Sequence, residues 1–139
     1  MNGEKDPSLK DEWTRALSIQ HKARAQGFDW PHVSGVLNKI AEEVDEIRCE
    51  LEKGDPAGIS VEYGDLLFSV IKLARFIPLD PAVCLSLTNE KFSARLHAIF
   101  RRAEDEGIPF SSLTLEEMSR WWEEAKINEP AKKDLQKLF

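Results

Sequence analysis

Residues 33–53 read VSGVLNKIAEEVDEIRCELEK, and residues 57–76 read AGISVEYGDLLFSVIKLARF, with Gly54-Asp55-Pro56 between them. In the first stretch Val36, Leu37, Ile40, Val44, Ile47 and Leu51 recur at the spacing of one helical face, which predicts a helix from about Val33 to Lys53. The second stretch carries Val61, Leu66, Leu67, Val70, Ile71, Leu73 and Ala74. It is the most apolar segment of the chain, so a helix from about Ala57 to Phe76 is expected at the centre of the fold, buried on more than one side. The short turn between them predicts an antiparallel helix pair.

The flanks extend the same pattern. Leu9, Trp13, Ala16, Leu17, Ile19 and Ala23 predict a helix from about Ser8 to Gln26, with Gly27 placed for a C-terminal cap. Beyond the central pair, Asp80 and Pro81 read as N-cap and first helical position, and Val83, Leu87, Phe92, Leu96, Ile99 and Phe100 carry a long helix to Gly107. Thr114 and Glu117 match a capping box that opens a fifth helix through Trp121, Trp122 and Lys126 before Pro130. No segment alternates as a strand would, and neither repeats nor low-complexity tracts interrupt the chain. The expected fold is therefore all-α, a bundle of about five helices. The first seven residues and Lys132 to Phe139 are expected to be loose or packed on a partner.

Composition narrows the function. The 139 residues carry 19 Lys plus Arg against 25 Asp plus Glu, a net charge of −6, with 42% hydrophobic residues. This supports one folded domain and excludes an intrinsically disordered chain. An acidic balance argues against a nucleic acid backbone as partner. The apolar run Leu66 to Leu79 is broken by Lys72 and Arg75 and falls short of the roughly 20 residues a membrane span needs. With no apolar signal core at the N-terminus, the expected location is cytoplasmic, without membrane association. Cys49 and Cys84 form no Cys-x-x-Cys pair, so a zinc site is not expected, and both read as small apolar packing residues.

The chemistry lies in the acids of the central pair. Glu43 and Glu46 are three apart, as are Glu62 and Asp65, and fifteen residues (47 to 61) separate the pairs. Residues three apart share a helical face. If the two faces meet, four carboxylates converge, and such a cluster must take up protons or bind cations. Hard oxygen donors suit Mg²⁺ or Mn²⁺. A di-iron centre would need Glu-x-x-His, and none of His21, His32 and His97 has a Glu three residues earlier. The acidic run also fits a solvated helix face, but Glu62 and Asp65 open the most apolar helix, where such a face is out of place. Gly64 between them suggests that a neighbouring helix or a ligand comes close to the backbone.

Lys39-x-x-Glu42-Glu43-x-x-Glu46 followed by Glu62-Tyr63-Gly64-Asp65-Leu66-Leu67-Phe68 resembles the MazG family of nucleoside triphosphate pyrophosphohydrolases, whose signature is Glu-Glu-x-x-Glu and then Glu-x-x-Asp. Gly27-Phe28-Asp29-Trp30, Asn89-Glu90-Lys91-Phe92 and Trp122-x-x-x-Lys126 are similar to that family too. The resemblance thus covers about residues 10–128 of a single MazG-like domain spanning 1–139. It implies the all-α MazG-like fold, assembled as a homodimer or a dimer of dimers. It further implies hydrolysis between the α and β phosphates of an NTP or dNTP, giving the monophosphate and pyrophosphate, in nucleotide-pool housecleaning. Glu43, Glu46, Glu62 and Asp65 would hold Mg²⁺, with Mn²⁺ as a substitute. Lys39, Lys91, Arg95, Trp122 and Lys126 would bind substrate. The chain departs from the pattern after Phe92, where Ser93-Ala94-Arg95 is less charged than the family's Arg-rich stretch; Arg101 and Arg102 are either replacements or solvated charges.

Such a site makes chemical sense, because carboxylates can bind a triphosphate only through bridging cations, with Lys and Arg covering the outer phosphates. Glu43 and its neighbour Glu42 are the catalytic candidates. Glu42 lies about 100° further round the helix and either orients and deprotonates water or is an exposed partner of Lys39. Lys91 and Arg95 at i, i+4 either clamp phosphate or decorate the surface. Trp30 and Trp122 either stack on a base or fill a core. Two other readings stand beside this one: a non-catalytic helical module whose acidic face binds a protein partner, and a related dUTP, dCTP or phosphoribosyl-ATP pyrophosphohydrolase.

Overall fold

The computed structural model describes residues 6–129, and these contain helices and no strand. The expectations for the first five residues and for Lys132 to Phe139 lie outside the described residues. The chain divides at Asp80 and Pro81 into two compact units.

The first unit contains α1 (Leu9–Ala25), α2 (Val33–Lys53) and α3 (Pro56–Lys72). Ser8 caps α1 by accepting from the Asp11 N–H at 3.1 Å, and Asp11 and Glu12 suit the positive end of the helix dipole. At the other end Gly27 adopts a φ of 84°, its N–H donates to Arg24 O and the Phe28 N–H to Ala23 O. These two bonds satisfy carbonyls that the helix leaves open. Gly54 at φ 71° ends α2, and Asp55 caps α3 through the Ala57 and Gly58 amides, with Pro56 in the first turn. Two residues therefore separate α2 from α3, and the chain doubles back on itself.

Helix α3 packs against both α1 and α2, and the Gln20 amide donates to Phe68 O at 2.9 Å. Its central place was expected. Its burial is less complete than expected, since Ser69 and Ile71 are buried while Val61, Tyr63 and Val70 are exposed. Its last turn also tightens into a 3₁₀ segment over Leu73–Arg75, where the Phe76 N–H reaches Leu73 O. Among the described residues no neighbouring helix crowds Gly64: a Cβ there would meet nothing within 4 Å.

The second unit contains α4 (Pro81–Asp105), a 3₁₀ turn over Phe110–Ser112 and α5 (Leu115–Ile127). Ile99, Ala103 and Trp121 form its core, flanked by Leu96, Phe110, Leu113 and Trp122. The predicted capping box is present in both directions, Glu117 N–H to Thr114 Oγ1 and Thr114 N–H to the Glu117 carboxylate, each at 3.1 Å. Arg102 pairs with Glu106 and Glu124 and lies 4.3 Å from the Trp121 ring centre. It ties α4 to α5. Cys84 is partly buried, whereas Cys49 is exposed, because it follows Glu42, Asp45 and Glu46 around the polar side of α2.

Candidate active site

The burial of Glu43 follows from its position in the apolar stripe of α2. Val36, Ile40, Glu43 and Ile47 stand at i, i+4, i+7 and i+11, so the face that buries Val36 also carries Glu43 inward, to 2% exposure. Glu43 pairs with Lys39, whose Nζ lies 3.0 Å from Glu43 Oε1 and 3.3 Å from Glu42 Oε2. The Lys39 ammonium holds the Glu43 carboxyl below the usual range, and the two carboxylates hold Lys39 above its own. On α3, Glu62 precedes the buried Ser69 by seven residues and shares its face.

As the spacing predicted, the two helices bring acids together. Glu43, Glu62 and Asp65 each present an oxygen, and these atoms lie within 4.8 Å of one another. Oε2 of Glu43 and Oε2 of Glu62 are buried without a hydrogen-bond partner among the described residues. An unpaired buried carboxylate oxygen is costly. Three hard donors, two of them with an orphaned oxygen, fit a divalent cation. Glu46 stands beside this trio, and the neighbouring Glu62 and Glu43 carboxylates push its carboxyl up to about 7. Glu42 stays on the outer side, more than half exposed, where it borders an acidic cleft of about 390 Å³ together with Asp45, Glu46, Glu50 and Glu62.

Lys39 also faces a second space. A cavity of about 510 Å³ lies in the first unit, walled by Phe28, Trp30, Phe68 and Phe76, with Arg24, Lys72 and Arg75 among its other linings. Arg75 bonds Asp29 Oδ2 at 2.6 Å and donates to Trp30 O at 3.0 Å. The Trp30 ring rests on Gly35, where a Cβ would come within 2.7 Å of it. Apart from Lys39 and Trp30, these residues were not among the sequence candidates. Asp29 and Arg75 are 46 positions apart, and no local pattern announces their pairing.

The remaining substrate candidates lie in the second unit. Arg95 is bound by Glu129 through both Nε and Nη2, the latter at 2.7 Å, and lies 5.5 Å from the Trp122 ring centre. Arg95, with Lys91 and Lys126 adding to it, holds the Glu129 carboxyl below its ordinary range. Lys126 also pairs with Glu123 at 3.0 Å. Trp122 meets the Phe92 ring at 4.5 Å, centre to centre. Lys91, Arg95 and Lys126 thus surround one carboxylate of their own chain, and Trp122 is packed between Phe92 and Arg95.

Residues 32–100 match the MazG nucleotide pyrophosphohydrolase domain. The chain is 37% identical over 124 residues to the nucleoside triphosphate pyrophosphohydrolase/pyrophosphatase MazG of Thermotoga maritima, covering 89% of this chain and 47% of that protein. It is 34% identical over 117 residues to the nucleoside triphosphate pyrophosphohydrolase of Escherichia coli K12, covering 83% of this chain and 44% of that one. The chain therefore spans about half the length of the curated relatives it matches. A third relative, the uncharacterized protein YabN of Bacillus subtilis, is 38% identical over 71 residues.

Proposed function

The chain belongs to the MazG family, and from that membership we propose that it is a Mg²⁺-dependent nucleoside triphosphate pyrophosphohydrolase that releases a nucleoside monophosphate and pyrophosphate. One observation carries the reading: carboxylates of Glu43 and Glu62, each with a buried and unpartnered oxygen, meet Asp65 at the centre of the α2–α3 pair. A solvated acidic face does not bury a carboxylate to 2% exposure.

Glu43, Glu62 and Asp65 would hold the cation, with Glu46 completing the set. When bound, Mg²⁺ supplies charge neutralisation for the triphosphate and for the departing pyrophosphate. The protein's own residues do the rest. Lys39 keeps Glu43 ionised and in place. Glu42, on the solvent side of the cluster and bonded to Lys39, takes the proton of the attacking water. The water oxygen bonds to the α phosphorus, the bond to the α–β bridging oxygen breaks, and pyrophosphate leaves with that electron pair.

The working form is a homodimer or a larger assembly. Leu37, Val44, Leu51 and Val61 lie exposed on α2 and α3, Leu51 by 60% and Val61 by 58%, an apolar display suited to a second copy. Light scattering at micromolar concentration tests this, and a fully active monomer would contradict it.

The activity is tested by incubating the protein with a panel of NTPs and dNTPs in Mg²⁺, Mn²⁺ or EDTA and resolving pyrophosphate from phosphate. Pyrophosphate with Mg²⁺ and none in EDTA is expected. Orthophosphate alone, or no turnover with any nucleotide, sinks the reading.

A further inference from the structure

We propose that Glu129 is an autoinhibitory strap: its carboxylate sits as an internal competitor on the Arg95 guanidinium and must leave before a phosphate group of the substrate or of the pyrophosphate product enters. This rests on the activity proposed above and adds a control on anion affinity. Three observations support it.

The first is an excess of positive charge around one carboxylate. Lys91 and Arg95 lie one turn apart on α4 and Lys126 lies on α5, and all three hold the Glu129 carboxyl below its ordinary range. Glu123 pairs with Lys126 and adds to the field at Arg95. Lys91, Arg95 and Lys126 thus face Glu129 and Glu123, three positive charges against two negative ones. Glu129 is the acid that fills the fork of the guanidinium, on Nε and, at 2.7 Å, on Nη2. The Arg95 side chain is 14% exposed, so the fork is largely dehydrated and binds the more strongly whichever anion it holds. Its two parallel donors match phosphate oxygens as well as carboxylate oxygens.

The second is how loosely the competitor is tied. Helix α5 ends at Ile127 with Asn128 as its C-cap, and the Glu129 N–H reaches Lys126 O at 3.3 Å, beyond the usual distance of about 2.9 Å. Pro130 follows in the sequence, and a residue before proline is disfavoured in helical backbone. The core of the unit, Ile99, Ala103 and Trp121, is built without Glu129, so release of the carboxylate leaves α4 and α5 packed. The third is that the fork has a second support. The Trp122 ring lies 5.5 Å from the guanidinium and packs in turn on Phe92. Competition weakens the binding of an incoming phosphate by the fraction of time the fork is open. A polyphosphate, which brings several charges to three cations, is the class of anion that overcomes it.

Calorimetric titration in EDTA with inorganic tripolyphosphate, which needs neither metal nor turnover, tests the strap. Glu129→Gln should bind it about threefold to fivefold more tightly than the parent, and the gain should vanish when Arg95→Ala is added. Glu116→Gln, at an exposed acid in the first turn of α5, removes the same charge and should leave the affinity unchanged. Glu129→Asp, which keeps the charge and shortens the reach, should show a smaller gain and stands in if Glu129→Gln does not fold. With turnover, KM for NTP should fall by the same factor in Glu129→Gln while kcat holds. Parental affinity in folded Glu129 variants overturns the strap and leaves the hydrolase reading intact. A gain that persists with Arg95→Ala, or that Glu116→Gln reproduces, overturns it as well, because it then reports net charge alone. A parent that hydrolyses no NTP overturns the hydrolase reading, and the titration still judges the strap.

Discussion

Glu129 grips the Arg95 guanidinium at two points and thereby occupies, with a carboxylate, the group that family resemblance assigns to the nucleotide. Lys91 and Lys126 add to the same positive field. A bidentate pair of this kind is the geometry in which Arg also takes phosphate. Glu129→Gln should therefore free Arg95 and lower KM for NTP about threefold to fivefold, the equivalent of roughly 1 kcal/mol. Steady-state kinetics check this. An unchanged KM means that Arg95 serves the fold and not the substrate.

Glu62→Gln should reduce turnover by at least roughly a hundredfold, since it removes a charge that acts on the reacting phosphate through the cation. Without metal the variant should be as stable as the parent or more so, because one member of a repelling cluster has become neutral. Mg²⁺ should raise the parent's Tm more than the variant's. Glu52→Gln, an exposed carboxylate on the same helix pair, should change none of these. Parental turnover in Glu62→Gln would remove the carboxylate centre from the mechanism.

The protonation of Glu46 gives a pH signature. Its carboxyl is pushed up from an ordinary 4.5 to about 7 in the metal-free fold. Between those values the folded chain holds a proton that the unfolded chain has lost, so stability falls as pH rises through this window. Melting in EDTA should show that decline between about pH 5 and 7, and Glu46→Gln should flatten it. Glu43, whose carboxyl is lowered, acts on the acid side instead, where falling pH costs stability. Mg²⁺ binding near pH 6 should release protons, visible as a calorimetric heat that changes with buffer ionisation enthalpy. A pH-flat melting profile in EDTA would show that Glu46 titrates normally.

Gly35→Ala should act at a distance from the chemistry. The new methyl would approach Trp30 Cε3 to 2.7 Å, so the ring must shift. KM should rise by about threefold or more while kcat and the Mg²⁺ dependence hold. A parallel fall in kcat would show that Trp30 reaches the reacting groups.

The helices were legible because their limits are written locally. The apolar stripe of α2 and its closing Gly54 predicted Val33–Lys53 as it stands, and Thr114 with Glu117 marked the start of α5. The carboxylate trio was legible because i, i+3 spacing fixes a shared face and the short turn fixes the partner. What depended on distant pairing was not. The Asp29–Arg75 bond, the cavity it borders and the grip of Glu129 on Arg95 join residues 34 to 46 positions apart through tertiary contacts. At Gly64 a glycine signals permitted closeness, and among the described residues no helix makes use of it, which leaves the ligand that the sequence offered as the alternative.

The two-residue turn between α2 and α3 has a kinetic consequence. Glu43, Glu46, Glu62 and Asp65 are all contained between positions 43 and 65, so the proposed cation centre is a short-range structure in sequence. Closing so short a loop takes little chain entropy and is fast, which places the hairpin early in folding. The carboxylates would then repel one another already at the barrier. A divalent cation present during folding should hasten the search itself, and metal-free chains should refold slowly even under conditions where the finished protein is stable.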